Sequence, residues 1–140
     1  LSKGTVAGFV FVINLFDLGG CDKLVKLGYK VDKPWGHEQI WAHCEKYVGK
    51  LLVINAGEKL SRQYHEVKDE TIFVLKGELV LEIGKGDEIE RFLLGQGASY
   101  RVKPGTIHRF CAPSTGCTLI EVSTPELEDV VRVEDDYGRD

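Results

Sequence analysis

Residues 57–77 read GEKLSRQYHEVKDETIFVLKG, and residues 97–108 read GASYRVKPGTIH. Each opens on a glycine, and the first also closes on one. In an extended chain, residues two apart lie on the same face. Gln63 and His65 therefore point the same way. Glu70 follows a short bend and opens the apolar run Thr71–Lys76, so it can turn back toward them. In the second stretch the turn Pro104-Gly105 launches a strand that carries His108. Two imidazoles, a carboxylate and an amide oxygen suit a single divalent ion, with positions left for water or substrate. Taken singly, each histidine reads equally as a hydrogen-bonded structural residue, and Gln63 as a turn cap. Only the combination points to a metal.

Working outward, the chain breaks into short apolar runs. Strands are expected at Glu38–Glu45, Tyr47–Asn55, Thr71–Lys76, Glu78–Ile83, Ile89–Leu94, Ser99–Val102, Ile107–Ala112 and Thr118–Ser123. Turn signals recur every 8–12 residues or so, the spacing of a sandwich or small barrel. Residues 21–37 read as irregular and end in the loop Lys33-Pro34-Trp35-Gly36-His37. Trp35 is expected to cover one end of the barrel, and nothing but composition suggests a ligand role for Trp35 or His37. After Thr124 the sequence turns acidic, and Pro125 with Thr124 as its cap could start one helical turn.

The composition fits one ordinary domain. A chain of 140 residues buries roughly two-thirds of its unfolded surface, enough for a core. Val is plentiful at 15 and Ala scarce at 5, which favours strands over a helical bundle. The net charge of −4 lies in the last 15 residues, which carry net −5, while the other 125 carry net +1. A near-neutral body with an acidic tail leaves no electrostatic footprint for nucleic acid. Leu127, Val130, Val131, Val133 and Tyr137 stand among those acids. A freely solvated tail needs no such set, so segment 126–140 is expected to pack on the domain or on a second subunit, with Val130 to Val133 at least partly buried.

Thr5–Leu18 is the most apolar stretch, too short for a bilayer span of about 20 residues. It reads as a strand followed by a Gly19-Gly20 linker, with a signal-peptide core or a segment foreign to the natural protein as alternatives. Exposed, it would template aggregation, so it is expected to add a strand to a sheet, in a homodimer to the sheet of the partner. The four cysteines (21, 44, 111 and 117) form no CxxC pair and read as reduced thiols of a cytoplasmic protein. A disulfide between Cys111 and Cys117 across a hairpin is the alternative. The resulting organisation is an N-terminal strand and linker over 1–20, the domain proper over 21–125, and the acidic segment over 126–140.

The two glycine-led stretches resemble the paired motifs of the cupin superfamily. The first motif, G-x5-H-x-H-x3,4-E-x6-G, fits from Gly57 to Gly77 with Gln63 at the first His position. The second, G-x5-P-x-G-x2-H-x3-N, fits from Gly97 to His108, with Lys103 at the Pro position and Ala112 at the Asn position. Lys33-Pro-Trp-Gly36, Leu60-Ser61-x-Gln63-x-His65, Pro104-Gly-Thr-Ile-His-Arg109 and Glu134-Asp-Asp-Tyr-Gly-Arg139 together resemble the isomerase-like C-terminal cupin domain of bifunctional mannose-phosphate enzymes, in which a Gln occupies the position of Gln63. This likeness covers roughly residues 31–139. It implies a jelly-roll double-stranded β-helix, a sandwich closed into a small barrel, and one divalent ion (Zn, Mn, Fe, Co or Ni) held by Gln63, His65, Glu70 and His108.

The likeness further implies a metal-dependent isomerase that interconverts mannose 6-phosphate and fructose 6-phosphate. A sugar phosphate needs cations at the cavity mouth. Lys103, Arg109, Arg101 and Arg62 lie near the motifs, although strand alternation turns Arg109 away from His108 and Arg62 away from Gln63. Tyr100 shares the parity of Val102 and reads as either a wall of the substrate site or a packed core residue. The substrate-binding candidates are therefore Tyr100, Lys103 and Arg109. No catalytic base is identified. The further histidines such domains carry around the first motif are replaced here by Glu66-Val67-Lys68-Asp69. A non-catalytic metal- or sugar-binding module thus stays open beside the enzyme, as does another metal chemistry such as oxygenation.

Overall fold

The computed structural model describes residues 30–139. The segment Thr5–Leu18 lies outside them. Eleven strands follow one another: β1 (Lys30–Lys33), β2 (Gly36–His43), β3 (Val48–Ile54), β4 (Arg62–Tyr64), β5 (Glu70–Gly77), β6 (Leu79–Lys85), β7 (Glu88–Leu94), β8 (Ser99–Val102), β9 (Ile107–Cys111), β10 (Cys117–Ser123) and β11 (Val131–Glu134). Every strand expected within the described residues is present within two residues at each end. The expected helical turn after Thr124 is not; residues 124–130 run as turns into β11. Strands β1, β4 and β11 were not expected, because each is only three or four residues long and charged or polar. Pairing with a neighbour, not local propensity, makes them strands.

The strands form two antiparallel sheets, ordered β1-β2-β3-β10-β5-β8 and β11-β4-β9-β6-β7. No strand belongs to both, so the architecture is a jelly-roll sandwich and not a closed barrel. The β9–β10 connection crosses from one sheet to the other. Cys111 and Cys117 therefore do not face each other across a hairpin, and both are free thiols. Burial pushes both thiols up, Cys117 to about 11.

The strand alternation explains how one domain holds an apolar core and a polar cavity. The inward rows are Ile54-Leu52-Lys50 on β3, Val74-Ile72-Glu70 on β5, Leu119-Glu121 on β10 and Phe110-His108 on β9, all buried. Each row begins apolar and ends on a polar or charged side chain. The apolar ends meet Trp35, Leu60, Leu79, Leu81 and Val102 in one core cluster. The polar ends gather at the other end of the sandwich. Gly36 makes the entry to β2 possible. Its φ is +144°, and a Cβ there would stand 2.0 Å from the carbonyl oxygen of Val53.

The C-terminal segment lies against the five-stranded sheet. Strand β11 pairs with β4. Val130 and Val131 are partly buried, whereas Val133 is 54% exposed. Arg109, 2% exposed, donates to the carbonyl of Leu60 at 2.7 Å, to Glu134 at 3.0 Å and to Asp136 at 2.5 Å. Arg139 grips Asp135 in the same segment, at 2.6 Å for the shorter ion pair, and this holds the Asp135 carboxyl down at about 2.

This attachment carries a pH dependence. Asp135 titrates lower in the folded chain than its ordinary 3.8, and Asp136 is also lowered, by Lys59 and Arg109. A group depressed on folding stabilises above its unfolded pKa, and that contribution is lost as pH falls through the folded value. Amide-exchange protection of residues 131–139, taken relative to the intrinsic exchange rate at each pH, should therefore be flat above pH 4 and fall as pH falls toward 2. Unchanged protection across that window would contradict the latch.

Candidate metal centre

His65 follows β4, Glu70 opens β5 and His108 lies on β9. All three are at most 2% exposed, and each offers a ligand atom within 4.8 Å of the others. The ring orientations come from their far nitrogens. His108 Nδ1 lies 3.0 Å from the carbonyl of Thr106, and His65 Nδ1 meets the carbonyl of Asp129. A carbonyl only accepts, so both Nδ1 atoms carry a proton, and the Nε2 atoms are the ring nitrogens turned inward, whose lone pairs a cation would take up. Those Nε2 atoms converge on Glu70: Oε1 is 3.1 Å from His108 and Oε2 is 3.5 Å from His65. Both Nε2 atoms and Oε1 are nonetheless buried without a well-formed hydrogen bond. Three such orphaned acceptors facing one point are costly unless a cation satisfies them. These residues fit a divalent ion, and its identity is not set by this mixed nitrogen and oxygen shell.

Gln63 pairs in register with His108 across β4 and β9 and lines the same cavity. Its Oε1 accepts a hydrogen bond from Ser61 at 2.7 Å. Glu70 is held ionised. Burial alone would raise its carboxyl, but His108, His65 and Lys68 hold it well below the usual range.

Around this point opens a cavity of about 300 Å³, at the small end of ligand sites. Its basic side chains are Lys33, Lys50, Lys68, Arg132 and Arg139; its acidic ones are Glu38, Glu70, Glu121 and Glu128. They alternate along the wall. Lys68 Nζ sits 2.5 Å from Glu70 and 2.8 Å from Glu121. Lys50 is 4.0 Å from Glu121 and 3.8 Å from Glu38, which lies 3.3 Å from Lys33. For Lys68, burial lowers the pKa, but Glu121 and Glu70 outweigh it and the ammonium stays protonated.

None of the substrate-binding candidates lines this cavity. Arg109 is on the opposite face of β9, committed to the C-terminal segment, as its parity against His108 implies. Tyr100 packs against the apolar core, and Lys103 is exposed in the turn after β8. Arg101 is bound to Asp69 at 2.6 Å on the exterior, and Arg62 to Glu82 at 2.6 Å on the outer face of its sheet. Trp35 covers the core and also lines the cavity. The cavity cations come instead from Lys33, Lys50, Lys68 and the C-terminal segment. A signal for two of the missed wall residues was present. Lys50 and Glu121 are charges at inward positions of otherwise apolar strands, VGKLLVI and CTLIEVS.

Comparison with known proteins agrees with this geometry. The cupin domain family matches residues 50–123. Over 116 residues the chain is 35% identical to the mannose-1-phosphate guanylyltransferase ManC of Salmonella typhimurium, and over 114 residues it is 32% identical to the xanthan biosynthesis protein XanB of Xanthomonas campestris. Each match covers 79% of this chain but only 23% and 24% of those proteins, so the chain spans about a quarter of their length. A separate match of 32 residues, 23% of this chain, is 66% identical to 18% of the adenine phosphoribosyltransferase of Pelagibacter ubique. Among solved structures, KdgF from a Halomonas species superimposes with a TM-score of 0.64 at 22% identity, over 72% of this chain and 91% of that one, a likeness of fold. The family match takes in more than half of the chain and all three convergent candidate ligand residues, and on that ground the chain belongs to the cupin family.

Proposed function

We propose that this cupin binds one divalent ion through His65, Glu70 and His108, with Gln63 beside them, and isomerises a sugar phosphate of the mannose 6-phosphate and fructose 6-phosphate class. The observation that carries the reading is the convergence of the His65 and His108 Nε2 atoms on Glu70 at the base of a cavity whose wall holds five cations among four carboxylates. A dianionic phosphate is recognised by such cations. The mannose-1-phosphate guanylyltransferase relative supports a mannose phosphate as the sugar.

A divalent ion at this point would supply Lewis-acid stabilisation of the charge developing on the substrate oxygens. The remaining work falls to the chain. Isomerisation breaks the C2–H bond of the aldose and moves that electron pair into a C1–C2 double bond as the carbonyl oxygen takes a proton; the C2 hydroxyl then gives up its proton to become the new carbonyl while the double-bond pair takes a proton at C1, so the net change is one hydrogen from C2 to C1 and one from O2 to O1. Glu70 is engaged by His65, His108 and Lys68. Glu121 is the remaining buried carboxylate on the wall, and Lys68 links it to Glu70. In this reading the Glu121 carboxylate takes the C2 proton and returns it to C1, and Lys68, 2.8 Å away, holds it in place.

Elemental analysis of the purified chain, with turnover of a panel of aldose and ketose phosphates, tests this. One equivalent of metal with mannose 6-phosphate turnover is expected. Metal and sugar binding without turnover of any member would replace the enzyme by a binding module, and no bound metal would end the reading.

A further inference from the structure

Asp129 lies outside both motifs, in the acidic C-terminal segment. In the structure its backbone carbonyl accepts from His65 Nδ1. Its carboxylate accepts the backbone N–H of Glu66 at 2.9 Å, Val67 at 2.8 Å and Lys68 at 2.7 Å. One residue therefore touches the ring of a candidate ligand and three consecutive amides of the loop from His65 to Glu70. The same loop is pinned at its far end by Thr124, whose hydroxyl accepts from Asp69 at 3.1 Å and whose N–H donates to the Asp69 carbonyl at 3.0 Å. From the other side, Gly105 of the second motif donates to the carbonyl of His65 at 2.7 Å.

We infer that Asp129 is a positioning residue of the metal centre, and that the segment after β10 is a working part of the site rather than a surface extension. The inference rests on the metal reading proposed above. Two constraints act together. The carbonyl fixes the His65 tautomer and ring angle, which leaves Nε2 free for the ion. The ionised carboxylate neutralises three amides that otherwise point outward from a bend, through charge-assisted hydrogen bonds stronger than neutral ones. The loop then delivers His65, Lys68 and Glu70 in one arrangement. Without the carboxylate, the carbonyl that orients His65 loses its direct tie to the loop that carries His65.

The test is divalent affinity, measured on the full chain by titration with zinc and by the visible absorption of bound cobalt(II). Asp129→Ala is expected to weaken zinc about 10–100-fold, the range found for groups that orient a ligand, and to shift the cobalt bands. Asp129→Asn keeps the carbonyl and an acceptor oxygen but loses the charge, so it should fall between. It also serves as the informative variant if the alanine protein does not fold. Asp87→Ala removes an exposed carboxylate from the turn between β6 and β7, remote from the loop, and should match the wild type. A cap with only a structural role would lower the stability of the metal-free protein in both Asp129 variants and leave affinity and cobalt spectrum unchanged; that result overturns the inference. If the wild type binds no metal, the metal reading itself fails, and the two failures are thereby told apart.

Discussion

Replacing His65 with alanine is expected to abolish stoichiometric divalent binding, a loss larger than the 10–100-fold typical of an orienting neighbour. The reason is geometric. Three buried acceptor atoms face one another within 4.8 Å, and removing one leaves a two-point site open to water. Metal content after dialysis reads this directly. A second readout is thermal. Metal bound only by the folded chain stabilises it by about 4 kcal/mol at a thousandfold excess over Kd, so the wild type should show a metal-dependent rise in Tm that the variant lacks. His43→Ala is the control, because His43 ends β2 on an exposed position outside the cavity. Equal metal content in the His65 variant and the wild type would remove the centre from consideration.

Glu121→Gln is expected to lower kcat by about 10²–10⁴-fold, the usual contribution of a positioned acid–base group, at unchanged metal content. Glutamine fills the same volume but cannot take a proton from carbon. Lys68 keeps its shorter contact to Glu70 at 2.5 Å, so the variant retains a partner for the buried ammonium. The sharper measurement is exchange of the C2 proton of mannose 6-phosphate with deuterated solvent, which should vanish while substrate still binds. A kcat within a few-fold of wild type would take the proton-transfer role away from Glu121.

Much of the fold was legible because a half-buried strand writes its own pattern. Runs such as ETIFVLKG on β5 and CTLIEVS on β10 are short apolar stretches set between turn signals, and the structure buries their alternate residues. Three of the candidate ligands were legible for a related reason. Glycine-bounded turns place His65, Glu70 and His108 at fixed offsets from strand ends, and the sheets bring those ends together. The short strands β1, β4 and β11 were not legible. A three-residue segment such as Arg62–Tyr64 has no period to detect and becomes a strand only beside β9 and β11.

The cations around the cavity were also hidden, for a different reason. Arg109 and Lys103 are near the motifs in sequence, yet one faces the far side of its sheet and the other lies in an exposed turn. Lys50, Lys68, Glu121 and Arg139 come from separate elements and meet only at the open end of the sandwich. The sequence by itself determined the strand-rich fold and brought out the candidate ligand residues, because short apolar runs and turn chemistry act over a few residues. Only the tertiary structure decided which charges share the cavity and that Asp129 reaches back to His65. Those are contacts between segments tens of residues apart, set by sheet register and the packing of two layers, which no local pattern encodes.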